Sequence, residues 1–384
     1  MSPATFLARR ASDLRVAEAS PRSLPLLRTI AIAGGLAFLA GLVFAPERAW
    51  AGFLMGFVYF VGLSLSGALF IALLTMAGAR WWIPLRPIPE AMSTALPYGG
   101  ILALVLLAGV PSLYEWSHAS AVASDHLLLH KSAWLNVPFF AARLLLCFAI
   151  WILLSRKLAQ AGREPVSHDG PARARRNLVL ACWFVPLFAL TWSVASFDWL
   201  MSLEPHWFST IYALLTLSGL GLAGLAACIL LAVPMIRSGR MGQLVTREHL
   251  DDLGKLAVAF SLFWVYIRYC QYMLVWYTNI PEETGWYTAR GEGLWAVLEP
   301  VNVALNWAIP FFVLMPKTAR RSPTVMVRVA VAMLAGHAVD LYLLAGPPIL
   351  GPDPSHAAWE IGPIVGAIAL FFWIAARALS KRSE

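Results

Sequence analysis

The 384-residue chain predicts an all-α integral membrane protein with about ten transmembrane helices, and three observations predict it. Apolar residues make up 59% of the chain, charged residues only 13%, and the mean hydropathy is +0.68, too little polar surface to cover a soluble globule. Apolar windows long enough to cross hydrocarbon, about 20 residues each, recur along the whole length. Lysine and arginine collect in every second connection between those windows.

The windows are 27–45, 50–76, 95–116, 136–155, 178–197, 207–233, 255–278, 294–315, 324–345 and 359–378. They leave a tail of 1–26, a membrane domain of 27–378 and a tail of 379–384. Arg80 and Arg86 follow the second window; Arg156, Lys157, Arg163, Arg173, Arg175 and Arg176 follow the fourth. Arg237, Arg240, Arg247 and Lys255 follow the sixth, Lys317, Arg320 and Arg321 the eighth, and Arg377, Lys381 and Arg382 end the chain. The opposite connections hold only Arg48, Lys131 and Arg290. This alternation puts both termini in the cytoplasm, and the tail carrying Arg9, Arg10, Arg15, Arg22 and Arg28 reads as cytoplasmic rather than as a removed signal peptide. The formal charge of +8 therefore orients the chain in a bilayer and does not point to nucleic acid.

Prolines punctuate the windows at Pro138, Pro186 and Pro310, where a missing N–H bends a helix and frees a carbonyl. Gly62, Ser64, Ser66 and Gly67, and later Gly219, Gly221 and Gly224, permit close helix approach. An Asn followed by Pro-Phe-Phe occurs at Asn136 to Phe140 and again at Asn306 to Phe312, four windows later. Two related four-helix units, about 50–197 and about 207–345, explain the recurrence; coincidence in a Phe-rich chain is the competing explanation.

Chemistry concentrates in few places. Between the fifth and sixth windows Asp198, Glu204 and His206 lie in a short connection flanked by Trp192, Trp199, Trp207 and Tyr212, whose rings suit a membrane interface. An ordinary interfacial hairpin accounts for the same residues. Ionisable groups at membrane depth are costly and usually face a bundle interior. His337 and Asp340 stand three apart in the ninth window, on one helix face. Arg143 lies in the fourth window, Arg268 in the seventh, and Glu299 in the eighth. Pairing of Arg143 or Arg268 with Asp340 or Glu299 would fix helix register and nothing more. Asp340 with His337 offers in addition a group that changes charge near neutral pH, the basis for a proton path through His337, Asp340, Glu299, Asp198, Glu204 and His206.

Redox centres of its own are not expected. Cys147, Cys182, Cys228 and Cys270 stand singly, so no cysteine pattern for a metal, an iron–sulfur cluster or a c-type haem is present. His118, His126, His130, His206 and His356 fall in or beside the extracytoplasmic connections, which leaves His337 alone at depth and rules against bis-histidine haem ligation.

Three runs carry a resemblance: DWLMSLEPHW from Asp198 to Trp207, QYMLVWYTNIPEET from Gln271 to Thr284, and Gly336 to Tyr342. Together with Lys131 and the segment Trp134 to Arg143, the chain resembles, over nearly its whole length, the F subunit of bacterial alternative complex III, a polysulfide-reductase-like membrane subunit. The resemblance implies ten helices in two four-helix bundles plus flanking helices, in the bacterial cytoplasmic membrane. It implies partnership with an iron–sulfur subunit, multihaem and monohaem cytochromes c and a homologous membrane subunit, so that haem c and iron–sulfur clusters reside in partners. A role in proton movement is implied too, while quinol belongs more firmly to the homologous subunit. Two further readings stay open: quinol binding by this chain near His206, Asp198 or Arg268, and an independent secondary transporter, which would show Gly/Pro-broken helices in matched positions.

Overall fold

The computed structural model describes residues 23–163, 170–237, 245–351 and 358–381. Residues 1–22, His356, Arg240 and Arg382 lie outside them. Ten long helices follow one another: α1 (Ser23–Phe44), α2 (Pro46–Met76), α3 (Leu96–Leu113), α4 (Val137–Arg163), α5 (Gly170–Trp199), α6 (Tyr212–Arg237), α7 (Arg247–Thr278), α8 (Gly293–Leu314), α9 (Pro323–Leu350) and α10 (Ala358–Ser380). There is no strand among the described residues. All but α7 are long and apolar enough to cross a membrane. α7 has the length, 32 residues, but Arg268, Gln271 and four tyrosines lower its hydropathy, and Arg268 and Gln271 are turned inward.

Local chemistry sets the ends. α2 and α9 start on Pro46 and Pro323, whose absent N–H is an orphan donor at a helix start anyway. The Asn136 side chain accepts from the Phe139 N–H at 2.9 Å and so caps α4. Thr246 and His249 close a reciprocal capping box on α7, which ends at Asn279 in the left-handed conformation, φ 48°, just before Pro281. Within α8 a π-turn, Ala304–Ala308, precedes Pro310. Pro310 offers no N–H to the Asn306 carbonyl, and the wider turn absorbs the mismatch without ending the helix.

α2 to α5 pack on one another, as do α6 to α9, and α2 meets both α6 and α9 where the two groups join. α1 and α10 pair with each other and lie against α2. Glycine makes that pairing close: a Cβ on Gly34 would fall among backbone atoms of Gly362 and Gly366. The burial is uneven. α2, α6 and α9 are mostly enclosed, whereas the other spans expose large apolar side chains such as Leu36, Leu146, Trp183 and Phe312. A membrane interior tolerates that exposure, and three enclosed helices make a polar site in the middle possible.

Two expectations need correction. Asp198 belongs to the last turn of α5, not to the connection after it. The flanking aromatics are not headgroup anchors either: Trp192, Trp199, Trp207 and Tyr212 are all buried. Trp199 packs edge-on against Phe57 of α2, and Trp207 stacks on Trp286. In a multi-helix bundle a large ring removes more apolar surface by filling the space between helices than by lying at the interface.

Candidate functional site

Asp340, on α9, is sealed, at 1% exposure. Its carboxylate accepts from Arg268 Nη1 at 2.9 Å and from Asn302 Nδ2 at 3.0 Å, with the Trp264 indole N–H at 3.3 Å on the other oxygen. Arg268 and Trp264 come from α7 and Asn302 from α8, so three helices converge on one carboxylate. The guanidinium also forks onto Glu299 of α8, with Nε to Oε1 at 2.7 Å. Planar bidentate geometry of this kind is what arginine supplies and lysine does not.

His337 lies one turn before Asp340, and the two occupy the same pocket against α6. A Cβ on Gly219 would meet Asp340 Oδ2 and His337 Nδ1 at 3.1 Å each, so the bare glycine makes room for both. The imidazole packs on the Tyr59 ring at 4.8 Å between centroids, and the Tyr59 hydroxyl donates to the Leu334 carbonyl at 2.8 Å. His337 Nδ1 has no hydrogen-bond partner among the described residues. Asn306 in the π-turn donates to Asn302 at 2.6 Å and touches Gly336, tying the π-turn to the same face of α9.

The cluster opens on one side. Glu299 is 39% exposed and sits in a cleft of about 510 Å³ between α7, the short helix Pro281–Arg290 and α8, lined also by Tyr269, Tyr272 and Tyr287. Arg268 therefore joins an open carboxylate, Glu299, to a sealed one, Asp340. One cation faces two carboxylates, so the cluster is neutral only when it holds one additional proton.

The remaining candidates are dispersed. Arg143 does not reach Asp340 or Glu299; it pairs with Asp198, through Nε at 2.6 Å and Nη2 at 2.9 Å, with its guanidinium over both the Trp134 and Phe139 rings, which meet edge-on. Glu204 meets Arg290 at 3.3 Å. Burial pushes the Glu204 carboxyl up from its usual range, and Arg290 opposes the shift. His206, half-exposed, meets Asp125 at 3.0 Å. Asp198, Glu204 and His206 thus hold three different partners and do not form one group.

No family model matches this chain, and no curated protein matches it. The cysteines are unbridged, and among the described residues no group of three or more His, Cys, Asp or Glu is placed to hold a metal ion. Two contributors escape a sequence reading. Arg290 resembles a loop charge, yet it is 4% exposed and donates to the Leu343 and Leu344 carbonyls as well as to Glu204. Its one sequence signal is Trp286 four residues earlier, whose ring stacks under the guanidinium at 3.7 Å. Trp264 donates to Asp340 across helices, which spacing along one chain does not reveal.

Proposed function

We propose that this chain is a redox-silent membrane subunit of a respiratory quinol:electron acceptor oxidoreductase of the alternative complex III type, and that it provides a proton path and a docking surface for redox subunits. The observation that carries the proton path is the chain of contacts from Glu299 in the cleft through Arg268 to sealed Asp340, with His337 and its unpartnered Nδ1 alongside. A proton reaching Glu299 has a second carboxylate, Asp340, held close to it by the guanidinium, which itself stays protonated, and an imidazole beyond it that accepts at one nitrogen and donates at the other. The docking role and the partners, an iron–sulfur subunit and cytochromes c, rest on the sequence resemblance. So do the bacterial cytoplasmic membrane and, together with the Lys/Arg alternation, cytoplasmic termini.

The test reconstitutes the whole complex carrying Asp340→Asn or His337→Gln and measures electron transfer and proton movement separately. The expected result is continued quinol turnover with fewer protons moved per electron. Normal assembly, normal turnover and an unchanged stoichiometry would remove the path. Purification of the tagged chain in mild detergent tests the partnership: cytochrome subunits with haem absorbance should travel with it.

A second reading, quinol binding by this chain, draws support from the same cleft, where tyrosines surround an arginine and a carboxylate. A photoreactive quinol analogue should then label the Tyr269–Tyr287 region, and labelling confined to another subunit counts against it. The transporter reading has less support, because the two Asn-Pro-Phe-Phe segments are not alike: Pro138 lies at the start of α4, whereas Pro310 follows a π-turn inside α8.

A further inference from the structure

One helix turns a polar face outward. On α7, Trp264, Arg268, Gln271 and Val275 are buried, while Leu262, Tyr266, Tyr269, Met273 and Trp276 are exposed. Steps of four, three, four and three residues put the exposed set on a single stripe of the helix. Four of the five exposed tyrosines among the described residues are on α7: Tyr266, Tyr269, Tyr272 and Tyr277. By contrast α1 and α4 expose Leu36, Leu39, Leu145 and Leu146. α7 is also the one long helix whose composition falls short of that of a membrane span.

Anchoring at the membrane surface explains only part of the stripe. Trp276 and Tyr277 stand at the outer end of α7, where amphipathic rings suit the headgroup level. Tyr266 does not: it lies midway between Lys255 and Thr278, roughly 17 Å from either at about 1.5 Å per residue, and so near the middle of the hydrocarbon. It is 61% exposed, as much as Leu146. Acyl chains offer a phenol hydroxyl no acceptor, whereas a polar side chain on a neighbouring helix does. Tyrosine, tryptophan and methionine are also the residues enriched in protein interfaces.

We infer that the stripe along residues 262–276 seats a membrane-spanning helix of another subunit, one that carries carboxylate, amide or hydroxyl side chains at the level of Tyr266 and Tyr269. The stripe brings hydroxyl and indole donors and no carboxylate or amide of its own, so a helix that supplies acceptors complements it better than a second copy of this chain. Tyr269 also lines the Glu299 cleft, and such a helix would wall that cleft off from lipid. The inference rests on this chain being one subunit of a larger complex, and it adds where a partner sits.

The experiment introduces the photoreactive residue benzoylphenylalanine at Tyr266, at Met273 and, for comparison, at Leu146, in the whole complex in its native membrane. After irradiation, adducts are identified by mass spectrometry. The probes at Tyr266 and Met273 should link to one copurifying polypeptide, through a peptide from a membrane-spanning segment that bears an acceptor side chain, and the probe at Leu146 should link to lipid. Tyr269→Phe removes one hydroxyl from an exposed position; it should lower the yield from the Met273 probe about threefold, the average worth of one interhelical hydrogen bond in a bilayer. Lipid adducts alone at Tyr266 and Met273, adducts to a second copy of this chain, or a yield insensitive to Tyr269→Phe would overturn the inference. Cytochrome subunits that copurify while the α7 probes find only lipid would sink it and leave the larger complex standing.

Discussion

Asp340 and Arg290 show how single residues carry this fold. Among the described residues Arg290 donates to Glu204 and to two α9 carbonyls at once, so Arg290→Ala removes the donor that all three share. Breaking such a buried pair costs about 3–5 kcal/mol, read as a lower unfolding temperature in detergent. Arg290→Lys should recover only part of it, since an ammonium cannot replicate the planar fork. Gly219 makes a subtler case. Gly219→Ala puts a methyl 3.1 Å from His337 Nδ1 and Asp340 Oδ2, which forces the pair apart by a few tenths of an ångström. The expected outcome is near-normal assembly with altered proton stoichiometry in the reconstituted complex. Unchanged stoichiometry would mean that the spacing of the pair is immaterial.

Between residues and the whole chain stand the helix contacts and the connections that close them. Gly34→Val would drive a side chain into the Gly362 and Gly366 backbone, which cannot move aside as a flexible side chain can. The overpacking cost is about 1–3 kcal/mol, and cysteine cross-linking between α1 and α10 should fall accordingly. On the opposite side, Asp125 caps the short helix His126–Lys131 and meets His206 of the α5–α6 connection. Partial desolvation pushes its carboxyl up, but the Leu128 and Leu127 N–H groups and the neighbouring His206 and His126 outweigh that and hold it below its usual value. A carboxylate depressed in the folded state contributes stability above the unfolded value, about 4, and loses it as pH falls through the depressed one. Amide-exchange protection over residues 119–131, taken relative to the intrinsic rate at each pH, should therefore be steady from about pH 7 to 5 and fall below about 4. Asp125→Asn should exchange faster throughout and lose that acid step.

For the molecule as a whole, the arrangement in the bilayer is the quantity to test. The proposed orientation puts the α3–α4 connection outside and the α8–α9 connection inside. Ser124→Cys and Thr318→Cys, each at an exposed position, would report it in a Cys182→Ser background, because Cys182 is exposed. An impermeant thiol reagent should label Ser124→Cys in intact cells and Thr318→Cys only after permeabilisation. The reverse pattern would invert the topology and place the Glu299 cleft toward the other compartment.

Composition and periodicity alone determined that the chain is helical and membrane-embedded, and each of the ten windows falls on one of the ten long helices, because about 20 apolar residues in a row have one economical structure in hydrocarbon. They also singled out His337 with Asp340, since an ionisable pair three apart shares a helix face whatever the surroundings. What they left open was which arginine meets which carboxylate. Arg143 and Arg268 look alike in sequence, and each had Asp340 and Glu299 as possible partners; helix packing gives Asp198 to one and both Glu299 and Asp340 to the other. Burial of the aromatics around the α5–α6 connection was likewise a tertiary outcome, because an indole is equally content at an interface or between helices until neighbours such as Phe57 and Trp286 exist. The local rules fix what each helix is. Only the packing of α7, α8 and α9 on one another brings four distant polar side chains within hydrogen-bonding distance, and contacts between residues 38 to 76 apart have no periodicity from which to read them.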